Sequence, residues 1–157
     1  MNIAIIRFED RPPQQLPTRP LSTPMFGYWI YFKANIVSGS ALLVPAGSDV
    51  EYIRSYPLPQ GISVETDVKA YEDFRLLEDD KPQAYRFEPL PVPGDYDLTG
   101  RVSQVLTVED GQVWVVRVIV DAFAFEFGPE DLNGITVSEG AWVQFRAREL
   151  ALFDENY

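Results

Sequence analysis

Apolar and polar positions alternate with a period of two through much of this chain, which is the pattern of strands that turn one face to a core. It is clearest over residues 112–127, QVWVVRVIVDAFAFEF, where Phe123, Phe125 and Phe127 alternate with Ala122, Ala124 and Glu126. The run from Val113 to Phe127 exceeds a typical strand of about 5–6 residues. Asp121 interrupts the face that carries Val113, Val115, Ile119 and Phe123, so a bend, bulge or turn is expected there. Just upstream lies a second β-rich run, LTGRVSQVLTV at 98–108, followed by Glu109-Asp110-Gly111. Asp-Gly between two such runs predicts a hairpin, because glycine accepts the positive φ of a tight turn.

The same pattern predicts strands elsewhere. Residues 2–8 form the first. In FGYWIYFKANIV, 26–37, Phe26, Tyr28, Ile30 and Phe32 share one face and Trp29, Tyr31 and Lys33 the other. Ser38-Gly39-Ser40 reads as the following turn, Ala41 to Val44 as a short strand, and 50–55 as another. Residues 62–77 make one or two strands before the acidic turn Glu78-Asp79-Asp80, and GPEDLNG at 128–134 suits a turn or a single helical turn. The last strand spans roughly 141–152. Its apolar residues move from Val143, Phe145 and Ala147 to Leu150 and Leu152, a change of parity that predicts a bulge or sharp coil. Residues 60–80 echo 134–156: both open Gly-Ile-(Ser/Thr)-Val and both end in leucine and acid, as two curved strands of similar build would.

Proline and glycine punctuate the chain, with five prolines in the arm 11–24, which cannot sit inside a sheet because proline lacks the amide donor. PTRP at 17–20 has PxxP spacing and reads as part of a stiff surface connection. Pro89, Pro91, Pro93 and Gly94 mark the expected boundary between an N-terminal β region, 1–88, and a C-terminal one, 94–157. The fold class is therefore all-β: small curved barrels, either two packed subdomains or one continuous domain. At the level of fold, the C-terminal half resembles the small Greek-key barrels of the oligonucleotide/oligosaccharide-binding (OB) type. The likeness rests on the long strand after Gly94, the Asp110-Gly111 hairpin, the insert at Gly128–Asn133 and the closing Gly140-Ala-Trp-Val-x-Phe.

Composition narrows the chemistry. Cysteine is absent, which removes disulfides, thiol nucleophiles and cysteine-held zinc, and fits a reducing, cytoplasmic setting. Histidine is absent too, so neither a Ser-His-Asp triad nor a histidine-ligated metal can be built. No phosphate loop or Gly-x-Ser-x-Gly motif occurs. Acid pairs such as Asp95-x-Asp97 and Glu130-Asp131 lie at turns, where aspartate is common, and lack the spacing of a calcium loop. We expect no enzyme, no cofactor and no metal. No run approaches the roughly 20 apolar residues that span a bilayer, and the apolar start is too short for a signal peptide.

The formal net charge is −11, with the 13 bases scattered singly. Such a surface repels phosphates, so nucleic acid is not the expected partner; a protein, and a basic one, is. The candidate binding face joins Trp142, Gln144, Arg146 and Arg148, which share one face of the last strand, with the rings of Trp114, Trp29 and Tyr31. The expected function is a non-enzymatic acidic module that engages another protein, as an immunity-type inhibitor or a decoy of DNA charge would. The alternatives are an OB-like binder of single-stranded nucleic acid or oligosaccharide, stacking its ligand on those rings, and a structural subunit that forms homo-oligomers through strand edges.

Overall fold

The structure, a computed structural model, describes residues 1–16, 25–45, 50–55, 57–78 and 83–155. It is all-β. The described residues form ten strands, one short helix and one 3-10 turn. PTRP, most of the proline arm and Asp79-Asp80 lie outside the described residues. The chain divides into two compact units, 1–67 with 149–157, and 68–148. The Pro89–Gly94 stretch falls inside the second.

The first unit contains β1 (Asn2–Phe8), β2 (Gln14–Leu16), β3 (Met25–Ala34), β4 (Val37–Val44), α1 (Val50–Arg54), the start of β5 (Gln60–Leu76) and the end of β10 (Trp142–Asp154). β1 pairs antiparallel with β3 and β5, β3 pairs antiparallel with β4, and β4 pairs parallel with β10 through Leu42↔Ala151 and Val44↔Phe153. Backbone N–H of Glu155 donates to the Ser63 carbonyl, so the path β5-β1-β3-β4-β10 forms a partial ring. Ile5, Ile30, Phe32, Leu43, Val64, Leu150 and Leu152 are buried in it.

Two elements here differ from the sequence reading. The β3–β4 turn is Asn35-Ile36, not Ser38-Gly39-Ser40, which lie inside β4. Asn35 takes φ 52°, a left-handed conformation that asparagine tolerates well, and this lets the chain reverse three residues early. Residues 50–54 are a helical turn rather than a strand. Glu51 and Arg54 pair across one turn at 3.3 Å while Ile53 is buried, an amphipathic arrangement too short to register as a helical period.

The second unit contains the end of β5, β6 (Arg86–Pro89), β7 (Tyr96–Thr107), β8 (Val113–Val120), β9 (Phe123–Phe127), the 3-10 turn Pro129–Leu132 and the start of β10. β7 is its spine. Over Tyr96–Thr99 it pairs with β6 on one side and β10 on the other, and over Arg101–Thr107 it pairs with β8, which pairs with β9. The expected hairpin is present: Gly111 has φ 81°, its N–H donates to the Val108 carbonyl, and Gln112 N–H donates to the Asp110 carboxylate. The interruption at Asp121 is a two-residue turn with Asp121 at φ 54°. Phe123, Phe125, Phe127 and Phe145 are buried, and Tyr71 and Phe74 close over Phe127 at 4.0 and 5.1 Å between ring centres.

The change of parity in β10 has a clear cause. Glu149 stands at φ 55°, between buried Ala147 and buried Leu150. β5 uses the same device. Asp73 stands at φ 54°, between Tyr71, stacked on Phe127, and buried Phe74. The likeness between 60–80 and 134–156 is thus a shared way of switching faces: an acid in the left-handed region turns a strand by one position.

Candidate interaction surfaces

Three surfaces collect the side chains singled out by the sequence, and each lies within one unit. The first is the outward face of β10 in the second unit. Val143, Phe145 and Ala147 point into the core, so Trp142, Gln144, Arg146 and Arg148 necessarily share the other side. Each finds a neighbour. Trp142 packs on Tyr85 at 5.3 Å between ring centres, and Gln144 accepts two hydrogen bonds from the Arg75 guanidinium. Arg146 donates to Asp97 at 2.9 Å and lies 3.8 Å from Asp73. Arg148 donates to Glu72 at 3.0 Å and Asp95 at 2.8 Å.

This ladder fixes the charge state of both arginines. The hydrogen bond and negative charge of Asp97 raise the pKa of Arg146, and the bonds to Glu72 and Asp95 raise that of Arg148. Both are held as cations, and both are neutralised locally. Arg146 thus sits in an open cleft of about 430 Å³, lined by Asp73, Phe74, Arg75, Asp97, Gln144 and Phe145. Two carboxylates there meet two guanidiniums, so the cleft offers little net field to an anion. The charges that meet there come from three strands: Asp73 on β5, Asp97 on β7 and Arg146 on β10.

The second surface is the far end of the β7–β8 hairpin. Val105, Leu106, Val113 and Val115 are only half-buried, Val108 is 46% exposed and Trp114 is 61% exposed. The register explains Trp114. Leu106 faces Val115 and Thr107 faces Val113, so Trp114 is the extra residue of a β-bulge, without a partner position on β7. A second bulge at Ser103, between the Val102↔Val118 and Gln104↔Arg117 pairs, twists the same hairpin. Glu109 and Asp110 stand exposed at its tip, and Glu139 reaches the Val105 amide at 3.3 Å.

The third surface belongs to the first unit. Ile30 and Phe32 enter the core and Trp29, Tyr31 and Lys33 face outward on β3. Arg11 lies over the Trp29 ring at 4.9 Å and Arg7 over the Tyr31 ring at 4.4 Å. The carboxylates of the ladder, the two bulges and these stacked arginines come from distant parts of the chain. The arginine count was visible in the sequence; their pairings depend on register, which the sequence does not display.

Among the described residues no three carboxylates gather as a metal site, and no helix is long and apolar enough to cross a membrane. No protein-family model matches the chain, and neither a curated protein nor a solved structure matches it.

Proposed function

We propose that the protein is a non-catalytic binding module that engages another protein through the β7–β8 arm. Its support is Trp114, a large aromatic 61% exposed at a bulge, on an arm whose Val105, Leu106, Val113 and Val115 are only half-buried. Exposed tryptophan is uncommon on a protein surface without a use, and tryptophan is a frequent anchor of interfaces. The acids at the arm's tip, and a second unit with 15 acids against 8 bases, favour a partner with a basic rim. The charge ladder supports the same choice, because the arginines that would have met a phosphate chain are already paired with carboxylates.

The sequence placed the OB-like likeness at 94–157; we carry it instead to the first unit, whose partial ring supports it there. The support is its five-stranded path β5-β1-β3-β4-β10, with a parallel pair between β4 and β10 and a helical turn after β4.

The test is affinity capture on immobilised protein from a lysate of its own source. The wild-type chain retains one stoichiometric partner that elutes with salt, and Trp114→Lys loses it. Equal retention by both would remove the arm from the interface, and elution of nucleic acid alone would replace the protein partner with a phosphate chain.

A further inference from the structure

We propose that the outward face of β3 in the first unit is a second binding site, and that its ligand is a short neutral oligosaccharide. A bulge in β1 shapes this face, which shares no residue with the β7–β8 arm. Ile5 faces Phe32 and Arg7 faces Tyr31, so Ile6 is an extra residue in β1. Without it, Arg7 would follow buried Ile5 into the core; with it, the guanidinium is turned outward onto the Tyr31 ring. Two residues along β3, about 6.7 Å at the usual strand rise, Arg11 lies on Trp29 in the same manner. Both rings remain half-exposed.

Beside the rings stands Glu9. Its side chain is only 10% exposed. One carboxylate oxygen, Oε1, accepts a hydrogen bond from Ser40. The other, Oε2, is buried and accepts none, although Arg11 Nη2 lies 3.1 Å away as an ion-pair partner. A buried acceptor without a hydrogen bond is costly unless something completes it. Arg11 covers both this oxygen and the Trp29 ring, so displacing one side chain opens an aromatic face and an acceptor together.

The class of ligand follows from the mixture. A pyranose ring presents an apolar C–H face to an aromatic ring, and hydroxyls at its rim both donate and accept. The row supplies both needs: Glu9 as acceptor, and Arg7, Arg11 and Lys33 as donors. Among the described residues Arg7 and Lys33 have no carboxylate within ion-pair distance, which leaves their N–H groups available. A phosphate chain only accepts, and would meet Glu9, exposed Asp10 and a net charge of −11. A neutral sugar chain is indifferent to that field.

The experiment is an NMR titration of the full chain with three probes, the hexasaccharides of cellulose, chitin and starch, at millimolar concentration, with oligothymidylate in parallel. The expected result is saturable shifts of the Trp29 indole and the Tyr31 and Ser40 amides with at least one hexasaccharide. Trp29→Ala abolishes them, Trp114→Ala leaves them intact, and Arg7→Gln weakens binding about tenfold, as loss of a charged hydrogen bond does. Tyr31→Ser, with unchanged Ile5 and Leu43 methyl signals, serves if Trp29→Ala unfolds. No shift with any hexasaccharide, shifts that survive both ring substitutions, or shifts with oligothymidylate alone would each overturn the proposal; the last would make the site one for single-stranded nucleic acid.

Discussion

Gly100→Ala adds a single methyl group to the middle of β7, and the structure gives its consequences in some detail. The new Cβ would stand 2.5 Å from the Ile119 carbonyl oxygen, 2.7 Å from Val120 Cγ2 and 2.8 Å from Val118 Cγ1. Carbon contacts are favourable near 3.5–4.0 Å, so β7 and β8 would have to part by about 1 Å. Val118 and Val120 are fully buried, and the carbonyl is backbone, so neither neighbour can swing aside. Overpacking of this kind costs about 1–3 kcal/mol, and a rigid backbone contact puts it at the upper end. Alanine recovers about 0.5–1 kcal/mol because it loses less backbone freedom on folding than glycine. The net loss is about 2 kcal/mol. Gly61→Ala is the matched control: its Cβ meets only the Ile3 carbonyl, at 3.9 Å, so the entropic gain stands alone and the variant is more stable by about 0.5–1 kcal/mol. Urea unfolding followed by circular dichroism reads both. If Gly100→Ala matches Gly61→Ala, the strands are not as close as described and the packing argument fails.

Other perturbations give distinct outcomes. Phe145→Ala, in a residue 1% exposed with the rings of Tyr71, Phe125 and Phe127 around it, lowers stability by about 3–5 kcal/mol in the same unfolding assay. Arg148→Met destabilises the chain by leaving Asp95, 7% exposed, without its cation, and adding Asp95→Asn recovers part of the loss; a double variant no better than the single one would show that the ion pair is not the cause. Because the pKa values of Arg146 and Arg148 are raised, their contribution is fully present below the ordinary arginine pKa and is lost only in strong base. The wild-type minus Arg148→Met difference should therefore stay flat between about pH 7 and 9, and a steep fall there would contradict the assignment. Trp114→Ala changes stability by no more than about 0.5 kcal/mol, since the ring is mostly in solvent, while abolishing partner capture; an unfolded variant would mean that the ring is structural.

Alternation and turn chemistry were legible residue by residue. The phenylalanines at 123, 125 and 127 are buried as their period requires, Asp110-Gly111 turns the hairpin, and the break at Asp121 and the change of parity before Leu150 both appear as residues at positive φ. What could not be read is register. Ser38-Gly39-Ser40 has turn composition, yet Asn35 reverses the chain first and the serines become strand. The helical turn at 50–54 spans little more than one helical period, too short to show a repeat. The candidate face on β10 came out of simple alternation, but its partners Glu72 and Asp97 lie on β5 and β7 and Asp95 just before β7, and only their pairing reveals that Arg146 and Arg148 are neutralised. The bulges that aim Trp114 and Arg7 are single-residue slips, with no mark in composition.

The reading of the β7–β8 arm as a protein-docking surface is tested most directly by a photo-crosslinking amino acid at position 114, with one at exposed Glu65 as control, irradiated in a lysate of the protein's own source. One dominant crosslinked protein is expected from position 114, of basic composition, weakened by salt and absent from position 65. The same adducts from both positions, or none from 114, would contradict it.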